Sequence, residues 1–350
     1  MARCIQPSYV KNFKCDGKFC DCRCCRDWQI LVDDDAYKKF FELDDDARAE
    51  IFQNIDMKTS NEGVELRTFK LREDGRCILL DDDGLCGIQK KYGEDFLAAI
   101  CQSFPRVTYQ LDENIFMQSM TLTCPVAAQI ILLPSKPIKF VEVDGVNTRA
   151  IIALKKKSPR SVENFLKLQR LAIKLLQNRN FTINRRLKIL YKNFGGEIPD
   201  ENIFDAESHA TTIINILGKV YRMNLDEKKI SELRRISMNY REKILHDVQE
   251  NFSNVLENYL VNEFFLRCYP YSFSGDEKFN CKVFIVGYRL LEFALTLSVI
   301  SKKKMTVGDM ATLIIHVNDM LDHNRGGMNA LIDFANSCDE KNFAVTMLEN

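Results

Sequence analysis

Cysteine is concentrated in the first third of this sequence, and that concentration restricts what the chain can fold around. Ten of the 13 cysteines precede residue 125. These ten are Cys4, Cys15, Cys20, Cys22, Cys24, Cys25, Cys77, Cys86, Cys101 and Cys124. Thiols that act only as small buried apolar side chains, as we expect for the three later ones, would be spread more evenly. The early thiols are therefore predicted to bind metal or to take part in thiol chemistry.

The spacing of the early cysteines suits a single metal site. Five of them fall between residues 15 and 25, so one loop can present several thiolates to one centre. The adjacent Cys24 and Cys25 can both face that centre only if the loop is tightly curled. Farther along the chain, Cys77 and Cys86 bracket an Asp-Asp-Asp-Gly turn, as the two strands of a hairpin would.

The chemistry of the ligands predicts the metal. Soft thiolates select zinc, copper(I) or iron–sulfur clusters. All four histidines follow residue 208, so a mixed Cys/His zinc finger is not expected. Cysteine-only ligation suits a cluster or a four-cysteine zinc site, and the Cys124-Pro125 step resembles the end of bacterial ferredoxin motifs. We therefore expect an iron–sulfur cluster, of the 4Fe-4S type, with zinc as the alternative.

The sequence is typical of a soluble cytoplasmic protein. Its first residues contain no apolar segment of the kind found in signal peptides. The apolar stretch 283–300 carries Arg289 and Glu292 near its middle, and each such charge costs about 2.5–3.5 kcal/mol at the centre of a membrane helix. A buried helix is therefore predicted rather than a membrane span. In the reducing cytosol the thiols are not expected to form a disulfide framework.

The net charge of the chain gives no reason to expect a nucleic-acid partner. The formal net charge is zero, which gives no general attraction to nucleic acid. Residues 1–125 contain 17 Lys+Arg against 23 Asp+Glu, an acidic balance that would suit a lysine-bearing partner. The aspartate runs at 33–35 and 81–83 are, however, more typical of solvated turns.

The remainder of the chain shows helical periodicity. Ser161 is predicted to cap a helix, and Thr306 with Asp309 forms a capping pair. Further helices are expected over residues 209–220, 226–252, 253–268, 283–300 and 306–323. Gly326-Gly327 is predicted to end the last of them in a left-handed conformation. The expected fold is mainly α, with a cysteine-rich metal- or cluster-binding module over residues 1–135 packed on a mainly helical domain over residues 136–350.

Several catalytic signatures are missing from the sequence. It contains neither G-x-G-x-x-G nor G-x-x-x-x-G-K-[ST], the usual phosphate-binding loops, and no G-x-S-x-G elbow. The C-x-x-x-C-x-x-C run of radical S-adenosylmethionine enzymes is also missing, because Asp27 stands where the third cysteine would follow Cys20 and Cys24. Motifs alone therefore indicate a metal-binding soluble protein of unknown chemistry.

The cysteines and their neighbours together resemble the flagellin lysine-N-methylase family, which is related to a wider group of zinc- or iron-chelating proteins. In the first half the matching segments are FKC at 13–15, CDCRCCRDWQI at 20–30, Asp33 to Tyr37, CILL at 77–80, GLCGI at 84–88, CQSFPR at 101–106 and CPVAA at 124–128. In the second half they are ENYLVNEFF at 257–265, YPY at 269–271 and His323-Asn324. Cys22 is an additional thiol within the first of these loops.

This resemblance implies a cytoplasmic protein-lysine N-methyltransferase that uses S-adenosylmethionine and acts on flagellin. It also implies the metal ligands, which would come from Cys15, Cys20, Cys24, Cys25, Cys77, Cys86, Cys101 and Cys124. Eight thiols exceed the four ligands of one 4Fe-4S cluster, so some lie outside the ligand shell or two sites exist. Glu257, Tyr259 and His323 are the candidates for taking the proton from the substrate lysine.

Two other functions fit the same residues. The first is a non-enzymatic protein that binds a metal or cluster, although such a protein would not need the long helical second half. The second is a redox sensor in which Cys24 and Cys25 react with oxidants. A cluster could be structural or could engage S-adenosylmethionine directly, and the sequence leaves both roles open.

Overall fold

The computed structural model describes most of the chain. The described residues are 2–15, 20, 23–26, 28–59, 63, 65–146, 148–154, 161–199, 204–302, 305–324 and 326–349. They form two compact units. The first unit comprises Met1–Ala127 and Phe140–Leu154, and the second, here called the helical unit, comprises Ala128–Lys139 and Lys155–Asn350.

A mixed five-stranded sheet, which the sequence did not predict, organises the first unit. Its strands are β1 (Arg3–Pro7), β4 (Arg106–Asp112), β5 (Ile115–Met120), β6 (Phe140–Asp144) and β7 (Ile152–Ala153), in the order β6-β1-β5-β4-β7. Strand β1 runs parallel to β5, and β4 and β5 form an antiparallel hairpin. Strands β2 (Ile55–Thr59) and β3 (Glu65–Phe69) form a separate antiparallel pair.

Short helices accompany these strands, and one of the aspartate runs, residues 33–35, starts the first of them. The helices are α1 (Asp34–Lys39), α2 (Asp45–Phe52), α3 (Gly87–Tyr92), α4 (Ala99–Ser103) and α5 (Pro125–Leu132), the last of which continues into the helical unit. The carboxylate of Asp33 accepts hydrogen bonds from the amides of Ala36 at 3.1 Å and Ala99 at 2.6 Å. Residues 33–35 are therefore a helix start rather than a solvated turn, because Asp33 satisfies free amides at two helix N-termini.

Eight helices make up most of the helical unit. They are α6 (Val162–Leu176), α7 (Ile183–Asn193), α8 (Ala206–Val220), α9 (Glu227–Leu266), α10 (Glu277–Lys302), α11 (Val307–Asp322), α12 (Gly327–Ser337) and α13 (Glu340–Met347). The predicted caps are confirmed: Ser161 accepts from the amide of Asn164, and Thr306 with Asp309 forms a capping box. The predicted break near residue 252 is a kink at Phe252 inside α9.

Helix α10 is a core helix. The segment Glu277–Ile300 is long and apolar enough to cross a membrane, but 78% of its most apolar window is buried inside the protein. Arg289 and Glu292 are both buried and form an ion pair of 2.5 Å. Such burial is the pattern of a core helix, as the two charges predicted.

Candidate functional site: a cysteine-lined cavity

The first unit contains a cavity of about 270 Å³ whose wall is rich in thiols. All eight cysteines proposed as metal ligands line it: Cys15, Cys20, Cys24, Cys25, Cys77, Cys86, Cys101 and Cys124. Apolar side chains such as Ile30, Phe69 and Leu97 complete the wall. Cys22 lies outside the described residues. The sequence-predicted set thus converges on one place although its members are spread over more than 100 residues.

Backbone hydrogen bonds bring these loops together. The Cys77 amide donates to the Cys25 carbonyl oxygen at 2.7 Å, and the same segments meet in an antiparallel bridge between Arg26 and Arg76. A second bridge pairs Leu80 with Cys86 on either side of the Asp-Asp-Asp-Gly turn. The last three cysteines lie at helices, since Cys86 precedes α3, Cys101 lies in α4 and Cys124 precedes α5.

The adjacent Cys24 and Cys25 both face the cavity. Their Sγ atoms are 3.6 Å apart, because residues Arg23–Cys25 form a 3₁₀ turn. The indole nitrogen of Trp28 donates to the Cys24 carbonyl oxygen at 3.1 Å and closes this turn. The tight curl that the sequence required for a shared site is therefore present.

Burial and crowding raise the pKa of several of these thiols. Burial raises the pKa of both Cys77 and Cys124 to about 11 and the pKa of Cys101 well above its usual value. For Cys25, the hydrogen bond with Cys24 raises the pKa most, and burial adds to it. Neighbouring thiolates repel one another across the cavity, so several can ionise together only if a cation compensates their charge.

Thiols are ligands that suit a soft metal, but the thiols of this cavity lie farther apart than the ligands of one metal ion do. Among the described residues, no three Cys, His, Asp or Glu side chains lie close enough together to hold one metal ion. Thiol ligands alone, in a partly buried cavity, are the chemistry of iron–sulfur and four-cysteine zinc sites. The cavity thus provides suitable ligands that must move closer to bind a metal.

Glu257, one of the predicted catalytic residues, lies elsewhere, in the helical unit. Its side chain on α9 is 2% exposed and accepts hydrogen bonds from two arginines. Arg179 donates from Nη2 at 2.9 Å, and Arg186 on α7 donates from Nη1 at 3.0 Å. Both carboxylate oxygens are therefore engaged in ion pairs.

Tyr259 and His323 lie near a different charged cluster. Here Arg267 binds Glu263 on α9 and Asp322 at the end of α11, both at 2.7 Å. The phenol of Tyr259 is buried, and burial and the Glu263 charge raise its pKa well above the usual value. His323 follows Asp322, is half-exposed, and lies 4.0 Å from Asp319. Glu257 does not join them, because residues two apart on a helix point about 200° from each other.

Sequence reasoning missed Glu263, Arg267 and Asp322. We name Glu263, Arg267, Asp319 and Asp322 the acidic cluster: Glu263 and Asp322 pair with Arg267, and Asp319 lies beside His323, one helical turn before Asp322. Burial raises the pKa of Glu263, and the nearby Asp322 charge adds to the effect. The signal in the sequence was the four-residue spacing of Glu263 and Arg267, which places them on one helix face.

Comparison with known proteins identifies the second half of the chain most directly. Residues 203–346 match the model of the FliB lysine N-methylase C-terminal domain, a span that contains α8 to α12. A lysine-N-methylase of Salmonella choleraesuis strain SC-B67 is 33% identical over 128 residues, which are 36% of this chain and 32% of the relative. The lysine-N-methylase of Salmonella typhimurium strain LT2 is 32% identical, with the same shares covered.

The alignment with this chain covers a larger share of one relative, FliU, than of the lysine-N-methylases. The flagellar biosynthetic protein FliU of Salmonella muenchen is 32% identical over 128 residues, which are 36% of this chain and 75% of FliU. The chain thus aligns with about a third of each lysine-N-methylase but with most of FliU. No solved structure matches it significantly. With three-quarters of FliU aligned and the C-terminal domain model matched, this chain belongs to the FliB lysine-N-methylase family.

Proposed function

We propose that this protein methylates lysine side chains of flagellin in the cytoplasm, with S-adenosylmethionine as the methyl donor. The observation that carries the proposal is the match to lysine-N-methylases and to FliU, whose name places that relative in flagellar biosynthesis. The methyl group passes from the sulfonium sulfur to the lysine nitrogen. The nitrogen contributes its lone pair, and the sulfur retains the electrons of the broken bond.

The substrate lysine must lose a proton before this attack. A lysine ammonium has a pKa of about 10.4, so a binding site has to desolvate it or provide a base. The acidic cluster suits the binding of the protonated lysine, because its carboxylates favour a cationic side chain, and the proton then passes to a neighbouring base. Tyr259 and His323 stand beside this cluster and remain proposed catalytic residues. His323 would accept the proton, and the Tyr259 hydroxyl, which burial keeps protonated, would accept a hydrogen bond from the amine. Glu257 is proposed with them from the family resemblance alone, since two arginines already occupy its carboxylate.

We further propose that thiols of the cavity hold an iron–sulfur cluster of the 4Fe-4S type, with zinc as the alternative. Eight thiols around one cavity support a soft metal. Once bound, the metal would supply the positive charge that stabilises several thiolates. The residues that bind it would pull the loops of Cys25, Cys77 and Cys86 together and stiffen the first unit.

A second function, a thiol-based redox sensor, is favoured by one observation. The Sγ atoms of Cys24 and Cys25 are already 3.6 Å apart. An oxidant such as hydrogen peroxide would take two electrons from this pair, and a disulfide would replace the two S–H bonds. This reaction would compete with metal binding, since it removes two ligands.

Anaerobic purification of the full chain tests these proposals together. Iron, sulfide and zinc are measured first, and about four iron and four sulfide per chain would establish the cluster. Flagellin and S-adenosylmethionine are then added, and methylated lysines are sought by mass spectrometry. The Cys24→Ser variant should lose metal, whereas Cys338→Ser, a thiol outside the cavity, should retain it. Stoichiometric zinc without sulfide would overturn the cluster, and unmodified flagellin would overturn the methylase.

A further inference from the structure

A buried group of charged side chains lies inside the helical unit, apart from both the cysteine cavity and the acidic cluster. We name it the arginine chamber. It consists of His209 on α8, Arg241 on α9, and Arg289 and Glu292 on α10, each at most 6% exposed. Arg289 is bound to Glu292 at 2.5 Å and donates to Asn184 at 2.9 Å. Charges buried this deeply are retained only where each finds partners.

One short segment, Thr346–Glu349, provides many of the hydrogen-bond partners of these charged side chains. Both carboxylate oxygens of Glu349 accept from the Arg241 guanidinium, at 2.9 and 2.8 Å. Asn184 donates to the same carboxylate at 3.0 Å. The Nδ1–H of His209 donates to the carbonyl oxygen of Thr346 at 2.6 Å, and Arg289 Nε donates to that of Met347 at 2.9 Å. The paired bonds to Arg241 are the arrangement by which arginine recognises a carboxylate ligand.

The segment leaves part of the chamber unsatisfied. Within the described residues, two donors have no acceptor, namely Arg241 Nε and Arg289 Nη2. Two acceptors likewise have no donor at hydrogen-bond distance, namely His209 Nε2 and Glu292 Oε1, the second of which lies beside the buried hydroxyl of Tyr288. Nine in ten buried polar groups or more are paired in folded proteins, so four such atoms in one chamber indicate a group still to be bound.

The unsatisfied atoms define the chemistry of that group. Guanidinium N–H donors require an acceptor such as a carboxylate, and the Glu292 oxygen and the bare His209 nitrogen require a donor such as an ammonium. A carboxylate and an ammonium held on neighbouring atoms form an α-amino-acid group. Glu349 supplies only the carboxylate half of this pattern.

We propose that the arginine chamber is a binding site for the α-amino-acid group of a ligand, and that Glu349 occupies its carboxylate position until the ligand replaces it. The ligand carboxylate takes over the bonds to Arg241 and Asn184, and its ammonium binds Glu292 and His209. Naming S-adenosylmethionine as that ligand rests on the proposed function. Occupation by Glu349 lowers the apparent affinity of the ligand, because only the fraction of molecules with the segment displaced can bind it.

Two substitutions in the full chain separate this role from simple packing. Glu349→Ala empties the carboxylate position. Glu340→Ala, the matched control, removes a carboxylate on α13 that pairs with Lys278 at 3.1 Å and Lys282 at 3.3 Å and lies outside the chamber. Calorimetry measures binding of S-adenosylhomocysteine, which carries the amino-acid group, and of methylthioadenosine, which lacks it. Circular dichroism checks that each variant is folded.

We expect Glu349→Ala to bind S-adenosylhomocysteine at least about fivefold more tightly than the unaltered chain, with methylthioadenosine unchanged. Glu340→Ala should leave both affinities unchanged. Adding Arg241→Gln to Glu349→Ala should abolish the gain. The proposal would be overturned if Glu349→Ala and the unaltered chain bound S-adenosylhomocysteine equally well, or if neither bound it. It would also be overturned if Glu349→Ala bound methylthioadenosine more tightly by the same factor. Methylation of flagellin by the unaltered chain would still stand in each of these cases, so the two proposals fail separately.

Discussion

The amide of Cys77 donates to the carbonyl oxygen of Cys25 at 2.7 Å, and this bond joins the two loops that carry most of the cavity's thiols. The cavity is therefore assembled by backbone pairing and not by the thiols themselves. Turns that set the course of these loops should then control metal binding, even where they contribute no ligand.

Gly84 tests this dependence. It has φ +78° in the turn that leads to Cys86, a conformation that costs most side chains about 1–2 kcal/mol. Gly84→Val should lower the metal content per chain and the urea midpoint, because the strained turn displaces Cys86. Gly84→Asn is the control, since asparagine tolerates this conformation. Equal metal content in both variants would show that the turn does not shape the site.

Glu257 should stabilise the helical unit through its arginine partners, apart from its proposed role in catalysis. Glu257→Gln leaves the buried Arg186 without its counter-charge, and breaking a buried pair in this way costs on the order of 3 kcal/mol. Urea unfolding measures the loss. The surface pair Arg234–Glu207 provides the control, since Glu207→Gln should cost less than about 1 kcal/mol. A Glu257→Gln protein of normal stability that has lost methylation would instead assign this carboxylate to catalysis.

His209 should make the protein sensitive to mild acid. Burial, followed by the charges of Arg241 and Arg289, lowers its pKa to about 3, so the folded state keeps the ring neutral. The unfolded chain binds a proton below about pH 6.5. Stability from this group is therefore present above pH 6.5 and is lost as the pH falls toward 3, by up to about 1.4 kcal/mol per pH unit.

Urea unfolding between pH 7 and 5 measures the contribution of His209 to the free energy of unfolding, apart from that of the Glu349 carboxylate. Glu349, whose pKa is lowered to about 2, begins to lose its contribution only below about pH 4.5. His209→Gln should flatten the change of the free energy of unfolding with pH between pH 6.5 and 5. His246→Gln, a substitution at an exposed position, should leave that change as it is in the unaltered chain. Identical slopes for all three proteins would contradict a neutral buried His209.

The convergence of the eight cysteines on one cavity was the most predictable part of the molecule. The candidate ligands follow from residue type and family resemblance, and loops with short spacings need little folding information to converge. The five-stranded sheet could not be predicted in the same way. Its strands are short, and β1 pairs with β5 through contacts such as Arg3 with Ile115, which are remote in sequence. Local periodicity carries no information about such pairings.

Two further features differ from what the sequence predicts. Gly326-Gly327 does not end α11 in a left-handed conformation, since Gly326 has φ −90° and precedes α12. A Cβ on Gly327 would lie 2.1 Å from the carbonyl oxygen of Met320, so this glycine allows close approach of the backbone. The arginine chamber was missed because Arg289 and Glu292 were considered only as interruptions of an apolar stretch. Their partners Asn184 and Met347 are distant in sequence.

The acidic cluster gives the sharpest test of where lysine binds. Asp322→Asn removes one of the three carboxylates, while Arg267 keeps its bond to Glu263. If the cluster receives the substrate ammonium, this variant loses a charged hydrogen bond of about 1.5–3 kcal/mol. The kcat/KM for flagellin should then fall about ten- to a hundredfold. Binding of S-adenosylhomocysteine should stay unchanged, because the arginine chamber, the site proposed for its amino-acid group, does not include this carboxylate.

Asp333→Asn on α12 provides the control, as it removes an exposed carboxylate away from the cluster. It should retain full methylation. The loss in Asp322→Asn should also weaken as salt is added, because screening reduces the attraction that the carboxylate provided. Equal kcat/KM for the two variants would move the lysine site away from Tyr259 and His323, since both residues lie beside this cluster.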